Sequence, residues 1–331
     1  MTNIRRILFA VRNPEAARQP GLAKAIQVAR AFDATLELFH ALCDSVFIEL
    51  SQFEDDKLDR LRERVEEEAR LPLSRLCEAA HRHGVQAECS VQWDYPPHEA
   101  IVRRATKTGA DLIIAECHKG ARTRPWLIHL TDWELLRISP LPVLLLKNGS
   151  PYRRPLTLAA VDPARAHVKP RDLDSRIVAT ATEFSRVLRG ELHVMHANYP
   201  NIAGVPGATP ATRTTWSTLT YEELMAQERQ AFEAFRASAG LRRTRTHLVD
   251  GNPAVAIPRF AREMGAGIVV MGALARSGLK RVLIGNTAER VLDALPCDVL
   301  VVKPEQPVTR TAQKTRDVRV IASATRASMA S

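Results

Sequence analysis

The sequence lacks several features that would define its class at once. It has no run of about 18 apolar residues, and its first residues, MTNIRRILFAVRNP, carry neither the apolar core nor the small-residue cleavage site of a signal peptide. The five cysteines are scattered without a CxxC pair, so neither a disulfide framework nor a zinc site is predicted. We therefore expect a cytoplasmic protein with buried, reduced thiols and no membrane-bound part.

Signatures of common enzymes and of nucleic-acid-binding modules are also missing. There is no GxSxG elbow, HExxH motif, paired DxD or complete Walker A loop, and no residue is placed as an obvious general base. Aromatic residues make up only 5% of the chain, and none is interleaved with the basic run at 242–245. That run is therefore interpreted as solvated charge, and a nucleic-acid partner is not predicted.

The excess of positive charge is confined to one half of the chain. The sequence has 47 Lys and Arg against 37 Asp and Glu, a net charge of +10. Residues 1–150 contain 21 residues of each sign, so the whole excess lies in residues 151–331, with the remaining 26 basic and 16 acidic residues. A strongly basic segment favours a polyanionic partner, which here belongs to the second half.

The chain is a tandem duplication. A shift of 156 residues aligns residues 97–147 with 253–303 without a gap, and 15 of the 51 positions are identical, including Lys147 and Lys303. A shift of 150 residues pairs ILFAV near the start of the chain with TLAAV in the second half. Because the chain of 331 residues is long enough for two ordinary domains, we expect them at 1–150 and 151–304, followed by a disordered basic tail at 305–331.

Within each half, short apolar runs alternate with longer segments of helical period. This alternation is typical of β-α-β units and predicts an α/β fold with a mainly parallel sheet. The strands of the second half are predicted at 156–161, 191–196, 244–249, 267–272 and 298–302, and those of the first near 7–11, 35–40, 86–92, 111–116 and 142–146. Pro72 interrupts a long charged helix near 54–83, where we expect a kink or a break. Thr220 and Glu223 form a capping-box pattern before another helix, which Gly240 is expected to end.

The most informative stretch is IVVMGALARSGLKRVLIGNTAERVL at 268–292. A predicted strand ends at Gly272, a basic loop follows, and a helix begins after Gly285. These glycines allow backbone to approach a ligand closely, and the free N–H groups at the helix start favour an anion. Further hydrogen-bonding groups and positive charge come from Asn286, Thr287, Arg276, Lys280 and Arg281. The alternative is a helix capped by Asn286 and Glu289 without any ligand.

The loop resembles the nucleotide-binding signature of the universal stress protein family, Gly-x2-Gly-x9-Gly-Ser/Thr after a strand that ends in Met-Gly. This sequence has Gly272-x2-Ala275-x9-Gly285-Asn286-Thr287, so Ala replaces the second Gly and Asn replaces the Ser/Thr. The resemblance spans about residues 4–304. It implies two tandem Rossmann-like domains of the adenine nucleotide alpha hydrolase-like type, each a five-stranded parallel sheet flanked by helices. The fifth strands would pair the two domains into an intrachain pseudo-dimer.

The resemblance also implies an ATP-like adenine nucleotide as ligand, with Mg²⁺ entering only with the nucleotide. In the family, an Asp just after the first strand contacts the adenosine, and Asp162 stands at that position. His196, at the end of the second strand of its half, is a candidate for contact with the base, although strand-end histidines usually have packing or hydrogen-bonding roles. The first half departs from the pattern, since Glu116 replaces Gly272 and Arg12 stands where Asp162 would. We therefore expect a nucleotide to bind only the second half.

Three functions are open at this point. The first is a cytoplasmic stress-response protein in which an adenine nucleotide orders the loops at 199–215 and 273–284, and so changes affinity for an unidentified protein partner. The second is an interaction scaffold of the same fold that has lost nucleotide binding, which the Ala275 and Asn286 substitutions favour. The third is a slow ATPase, because weak ATP hydrolysis needs little more than a positioned water and Mg²⁺. A further homodimer is compatible with each of the three.

Overall fold

The structure is a computed structural model and describes residues 4–42, 56–117, 125–165, 170, 172–199, 218–272 and 286–304. The strands of the first half are β1 (Arg6–Ala10), β2 (Thr35–Leu42), β3 (Ala87–Trp93), β4 (Leu112–Glu116) and β5 (Val143–Leu146). Its helices are α1 (Pro20–Phe32), α2 (Asp56–Arg82), α3 (Pro97–Thr108) and α4 (Pro125–Ile138).

The second half repeats this succession of elements. Its strands are β6 (Leu156–Val161), β7 (Glu191–Asn198), β8 (Thr246–Asp250), β9 (Ala266–Gly272) and β10 (Asp298–Val302). Its helices are α5 (Leu173–Val187), α6 (Thr218–Ser238), α7 (Pro253–Glu263) and α8 (Asn286–Ala294).

All ten strands form one sheet in the order β3-β2-β1-β4-β5-β10-β9-β6-β7-β8. Neighbouring strands within each half are parallel. The halves meet where β5 and β10 pair in antiparallel fashion, with Leu144 opposite Leu300. This arrangement confirms the predicted α/β fold with two five-stranded parallel sheets, whose fifth strands pair in an intrachain pseudo-dimer.

Helices cover both faces of the sheet, and each face carries a core that continues across the junction. One core contains Leu144 and Leu300 together with apolar residues of α1, α2, α5 and α6. The other contains Val143 and Val299 with residues of α3, α4, α7 and α8. Because successive side chains of a strand point to opposite faces, β5 and β10 contribute to both cores and are buried along their whole length.

Most predicted elements are confirmed, and three details are corrected. Of the kink or break expected at Pro72, the break is wrong, because α2 continues through this residue with Leu73 and Ala80 buried in the core, and the kink stays a prediction. Thr220 is not an N-cap, because α6 already begins at Thr218. The strand predicted from residue 244 begins at Thr246, since residues 243–245 form a 3₁₀ turn.

Further expectations concern the end of α6, the cysteines, membrane-spanning helices and the domain boundaries. Gly240 follows the end of α6 with φ of 62°, as predicted for a helix terminus. The cysteines in the described ranges, residues 77, 89, 117 and 297, are free thiols; Cys77 and Cys297 are buried as expected, whereas Cys89 and Cys117 are only half-buried. Among the described helices none is long and apolar enough to cross a membrane. The domain boundaries stay predictions, and the tail at 305–331 lies outside the described residues.

Two equivalent lysines tie the halves together reciprocally. Lys147 follows β5 and donates to the carbonyl oxygens of Leu292 and Leu295, at the end of α8 in the other half. Lys303 follows β10 and donates to the carbonyl oxygen of Leu136, in the last turn of α4. Since the last carbonyl groups of a helix have no partner within it, each lysine satisfies the helix end of the opposite half.

A buried acidic residue adds an asymmetric contact beside this junction. Asp298 is fully buried and forms an ion pair with Lys24, which is 1% exposed. The Asp298 carboxylate also accepts hydrogen bonds from the Tyr152 hydroxyl at 2.6 Å and from the backbone N–H of Lys147 at 2.8 Å. A buried carboxylate with this many donors is well compensated for its lost hydration.

Removing Asp298 tests the weight of this buried contact. We expect Asp298→Ala to lower the free energy of unfolding in urea by about 3–5 kcal/mol, because Lys24 is left buried without its counter-ion. Glu183→Ala is the matched control, since Glu183 forms an exposed pair with Arg186 on the surface, and we expect it to cost less than about 1 kcal/mol. Equal losses in the two variants would contradict the role given to Asp298.

The pH dependence of stability tests the burial of Lys303. Burial lowers the pKa of Lys303 from 10.5 to about 8. Between these values the unfolded chain binds more protons at this site than the folded chain, so the unfolding free energy gains a contribution that rises with pH, by up to about 3 kcal/mol. We expect this rise between pH 8 and pH 10.5 to be smaller in Lys303→Met. Parallel pH profiles of the two proteins would show that Lys303 titrates normally in the folded state.

Candidate functional site

The strand order of the second half reverses between β6 and β9. In open parallel sheets such a reversal forms a crevice at the carboxyl ends of the strands, and we call this position the crevice. In the sheet, Ala160 of β6 lies opposite Met271 of β9, and Val161 lies opposite His196 of β7. Asp162, Gly272 and His196 are therefore at the same edge on three adjacent strands. Such a reversal is the usual ligand position in open parallel sheets.

Asp162 is held by its backbone while its side chain reaches solvent. Its backbone N–H donates to the Asp174 carboxylate at 3.0 Å, in the first turn of α5. Its carboxylate is 34% exposed and lies 3.4 Å from the guanidinium of Arg165. The backbone therefore fixes the turn, while the Asp162 carboxylate, which approaches Arg165 and lies 3.9 Å from Nδ1 of His196, keeps part of its surface open to a ligand.

Gly272 is tightly packed against α5. A Cβ atom at this position would lie 2.8 Å from Cδ2 of Leu173 and 3.1 Å from Cδ1 of Ile177. A Cβ atom here would displace the Leu173 side chain, so the packing of β9 against α5 favours glycine at this position even without a ligand. Because packing alone can account for this glycine, the observation supports the scaffold alternative.

The remaining motif residues are only partly described. Helix α8 is described from Asn286 onward, in agreement with a helix after Gly285, while the predicted start itself borders residues outside the described ranges. Ala275, Arg276 and Gly285 lie outside the described residues, as do the side chains of Asn286 and Thr287. The loops predicted to order on nucleotide binding, 273–284 and nearly all of 199–215, also lie outside them.

His196 is almost completely buried beneath the crevice. It is 2% exposed, and its Nδ1 lies 3.1 Å from the carbonyl oxygen of Val161. His40, its counterpart in the first half, makes the same contact with Val11 at 2.8 Å. The first half keeps this hydrogen bond although it departs from the nucleotide-binding motif. The shared bond therefore favours a positioning role for both histidines, and the base contact of His196 stays a prediction.

Glu228 of α6 is a site residue that sequence reasoning missed. Its carboxylate lies 3.6 Å from Nε2 of His196 and accepts the backbone N–H of Tyr199 at 2.8 Å. Burial alone would raise the pKa of Glu228, but the His196 ring and the Tyr199 N–H outweigh it, so the pKa is lowered. In the sequence Glu228 is one acid among many in a charged helix, and only the packing of α6 distinguishes it.

Arg165 is the second residue that was missed. Its guanidinium donates to the carbonyl oxygen of Tyr199 at 3.2 Å and also approaches Asp162. Arg165 therefore connects the ends of β6 and β7 at the mouth of the crevice. In the described part of the chain, no cluster of three or more His, Cys, Asp or Glu residues could hold a metal ion by itself.

The equivalent crevice of the first half is filled by Glu116. Its Oε1 accepts the backbone N–H of Gly21 at 2.7 Å, in the first turn of α1. A carboxylate thus lies at the carboxyl end of β4, at the position of Gly272 in the second half, where it would repel a polyphosphate. This is the physical basis for expecting no nucleotide in the first half, although exclusion itself stays a prediction.

Comparison with known proteins agrees with this architecture. The sequence profile of the universal stress protein family matches residues 3–147 and again residues 169–303. The chain belongs to the universal stress protein family. Among curated relatives, universal stress protein E of Escherichia coli (strain K12) is 29% identical over 305 residues, which cover 90% of this chain and 94% of that protein.

Solved structures resemble this universal stress protein over nearly its whole length. A protein of unknown function from Pseudomonas aeruginosa PAO1 aligns with a TM-score of 0.68 and 28% identity, covering 92% of this chain and 94% of that one. A universal stress protein from Archaeoglobus fulgidus DSM 4304 aligns with a TM-score of 0.62 and 17% identity, covering 92% and 99%. The second likeness concerns the fold alone.

The contact between Glu116 and Gly21 predicts that the effect of Gly21→Ala on the stability of this universal stress protein changes sign when Glu116 is removed. A Cβ atom at Gly21 would overlap the Glu116 carboxyl group, so we expect Gly21→Ala to destabilise the protein by about 1–3 kcal/mol. In a Glu116→Ala background the same substitution should stabilise it by a few tenths to about 1 kcal/mol, because alanine favours the helix. Urea denaturation of the four proteins measures the coupling, and additive effects would contradict the contact.

Proposed function

We propose that this universal stress protein binds an ATP-like adenine nucleotide in its second half and, in the cytoplasm, uses it to control contact with a protein partner during stress. The observation that carries the proposal is that the partly exposed Asp162 and Gly272 follow or end adjacent strands at the strand-order reversal. The family resemblance assigns that Asp to the adenosine and the loop after Gly272 to the phosphates. The residue types fit, since a carboxylate accepts hydrogen bonds from ribose or adenine and the start of α8 favours an anion.

The crevice also offers a route from ligand to partner. Arg165 contacts Asp162 and the Tyr199 carbonyl together. A nucleotide that engages Asp162 competes with Arg165 for the carboxylate, and so changes the contact at Tyr199, where β7 leads into residues 200–217. This gives the bound and free states different contacts, which a ligand needs in order to shift a conformational equilibrium.

The interaction scaffold without nucleotide is a second candidate. It is supported by Ala275 and Asn286, which depart from the family motif, and by the packing of Gly272 against α5. The two candidates differ in one measurable property, the affinity of the full chain for ATP.

Titration of the full chain with ATP and Mg²⁺ tests the proposal. We expect saturable binding, and we expect Asp162→Ala to weaken it by about tenfold, corresponding to about 1.4 kcal/mol for a lost hydrogen bond to a charged group. Arg12→Ala changes the equivalent position of the first half and is the matched control, with unchanged affinity. A wild-type protein that binds no ATP would establish the scaffold instead, and equal weakening by both substitutions would contradict the assignment to the second half.

Hydrogen exchange in the same samples tests the route to the partner. On adding ATP, we expect slower amide exchange in the segments 199–215 and 273–284. Unchanged exchange in both segments, in a sample that binds ATP, would show that ATP binding does not order these segments. That result would refute the proposed coupling to the partner.

A further inference from the structure

A cavity of about 440 Å³ lies at the other edge of the second half, lined by Arg154, Leu156, Arg189, Gly190, Glu191 and Arg245. These residues are at the amino ends of β6, β7 and β8. The crevice near Asp162 is at the carboxyl end of β6, a strand of six residues, and is therefore about 20 Å away by the rise of a strand. The cavity is separate from the proposed nucleotide site.

The cavity is strongly basic. Three arginines and one glutamate line it, which gives a net charge of +2. Arg245 approaches the Glu191 carboxylate at 4.0 Å, whereas Arg154 and Arg189 have no ion-pair partner within the described residues. Two guanidinium groups are thus available to a ligand, and this volume is in the range of small-molecule sites.

The backbone holds these two arginines close together. The N–H of Glu191 donates to the carbonyl oxygen of Pro155 at 3.2 Å. A Cβ atom at Gly190 would overlap the same carbonyl group, so the two turns are in direct contact. Arg154 and Arg189 are the residues immediately before this contact in their respective turns, and both exposed side chains line the cavity.

Both arginines adopt a backbone conformation that arginine does not favour. Their φ angles are 48° for Arg154 and 53° for Arg189, in the left-handed region. This region costs a residue with a Cβ atom about 1–2 kcal/mol, and it is more accessible to Gly, Asn and Asp. Backbone preference therefore does not account for arginine at either position.

The duplication provides an internal comparison for Arg189. The same turn in the first half has Asp33 at the equivalent position, with φ of 54°, and the equivalent backbone hydrogen bond joins Thr35 to Arg5. The turn thus forms with the residue type that its geometry favours. The second copy keeps the geometry and places a cation there.

The other two arginines differ between the copies in the same direction. Ile4 stands at the position of Arg154 by the shift of 150 residues. The strand registers, Leu38 opposite Cys89 and Val194 opposite Thr246, place Glu88 at the position of Arg245. The first copy has one cation here, Arg6 at the position of Leu156, and it pairs with Glu88. The net positive charge of this edge is therefore specific to the second copy.

We propose that this cavity binds a small anion that carries two phosphoryl groups. A guanidinium group matches a phosphoryl group with two parallel hydrogen bonds, so Arg154 and Arg189, which have no ion-pair partner among the described residues, suit two such groups. The net charge of the lining also opposes that of a diphosphate. This site does not depend on nucleotide binding at the carboxyl edge.

Titration of the full chain with inorganic pyrophosphate at low salt tests the proposal. We expect a dissociation constant below about 1 mM and weakening by about tenfold in Arg189→Asn, which removes one charged hydrogen-bonding group. Asn tolerates the left-handed region, so the variant should fold at least as stably as the wild type, which urea denaturation checks. Arg186→Gln removes the same charge one turn earlier, outside the cavity, and is the matched control with unchanged affinity.

Each other result would overturn the proposal. Absence of binding removes the site, and equal weakening by Arg186→Gln shows general attraction to a basic surface. Unchanged affinity in Arg189→Asn places the pyrophosphate elsewhere, and amide chemical shifts that move at Asp162 and Gly272 but not at Gly190 and Glu191 show the same. Inorganic phosphate that binds as tightly as pyrophosphate contradicts the requirement for two phosphoryl groups. None of these results depends on whether the Asp162 crevice binds ATP.

Discussion

The antiparallel pairing of β5 with β10 is the contact on which the architecture depends. Every residue of these two strands is buried, so either half alone would expose an apolar strand edge, a site where chains pair with one another. The pairing also reverses the direction of one half relative to the other. The carboxyl edges of the two halves consequently face opposite ends of the sheet, and the crevice filled by Glu116 lies at the same end as the arginine-lined cavity.

This junction explains why identity between the copies is concentrated where it is. The segments 97–147 and 253–303 contain the fourth and fifth strands of each half, together with the helices that end beside the junction. Lys147 and Lys303 are identical because each satisfies the helix end of the other copy. The symmetry is incomplete, because the counterpart of Asp298 is Pro142, and a proline cannot replace the ion pair with Lys24.

The sequence was sufficient to predict most elements but few of the polar contacts. β6 and β10 begin and end at the predicted residues, since short apolar runs between turns define a buried strand well. The Lys24–Asp298 pair joins residues 274 positions apart, and no local pattern indicates it. Glu116 was predicted to block its crevice, but its hydrogen bond to Gly21 requires knowing that α1 starts beside the end of β4. The basic run at 242–245 was visible, but the cavity to which Arg245 contributes is formed by three distant turns.

The two copies therefore differ at the carboxyl and amino ends of their strands, whereas the pairing of their fifth strands is retained. At the carboxyl edge, the first copy satisfies the start of α1 with the Glu116 carboxylate, whereas the second keeps Gly272 and a partly exposed Asp162. At the amino edge, a turn of one geometry carries Asp33 in the first copy and Arg189 in the second. Substitutions at such edge positions leave both cores intact, so the charge of one copy can change without cost to the other. The excess of positive charge in the second half is then better matched to small anions at defined turns than to an extended polyanion, which would need a continuous basic surface.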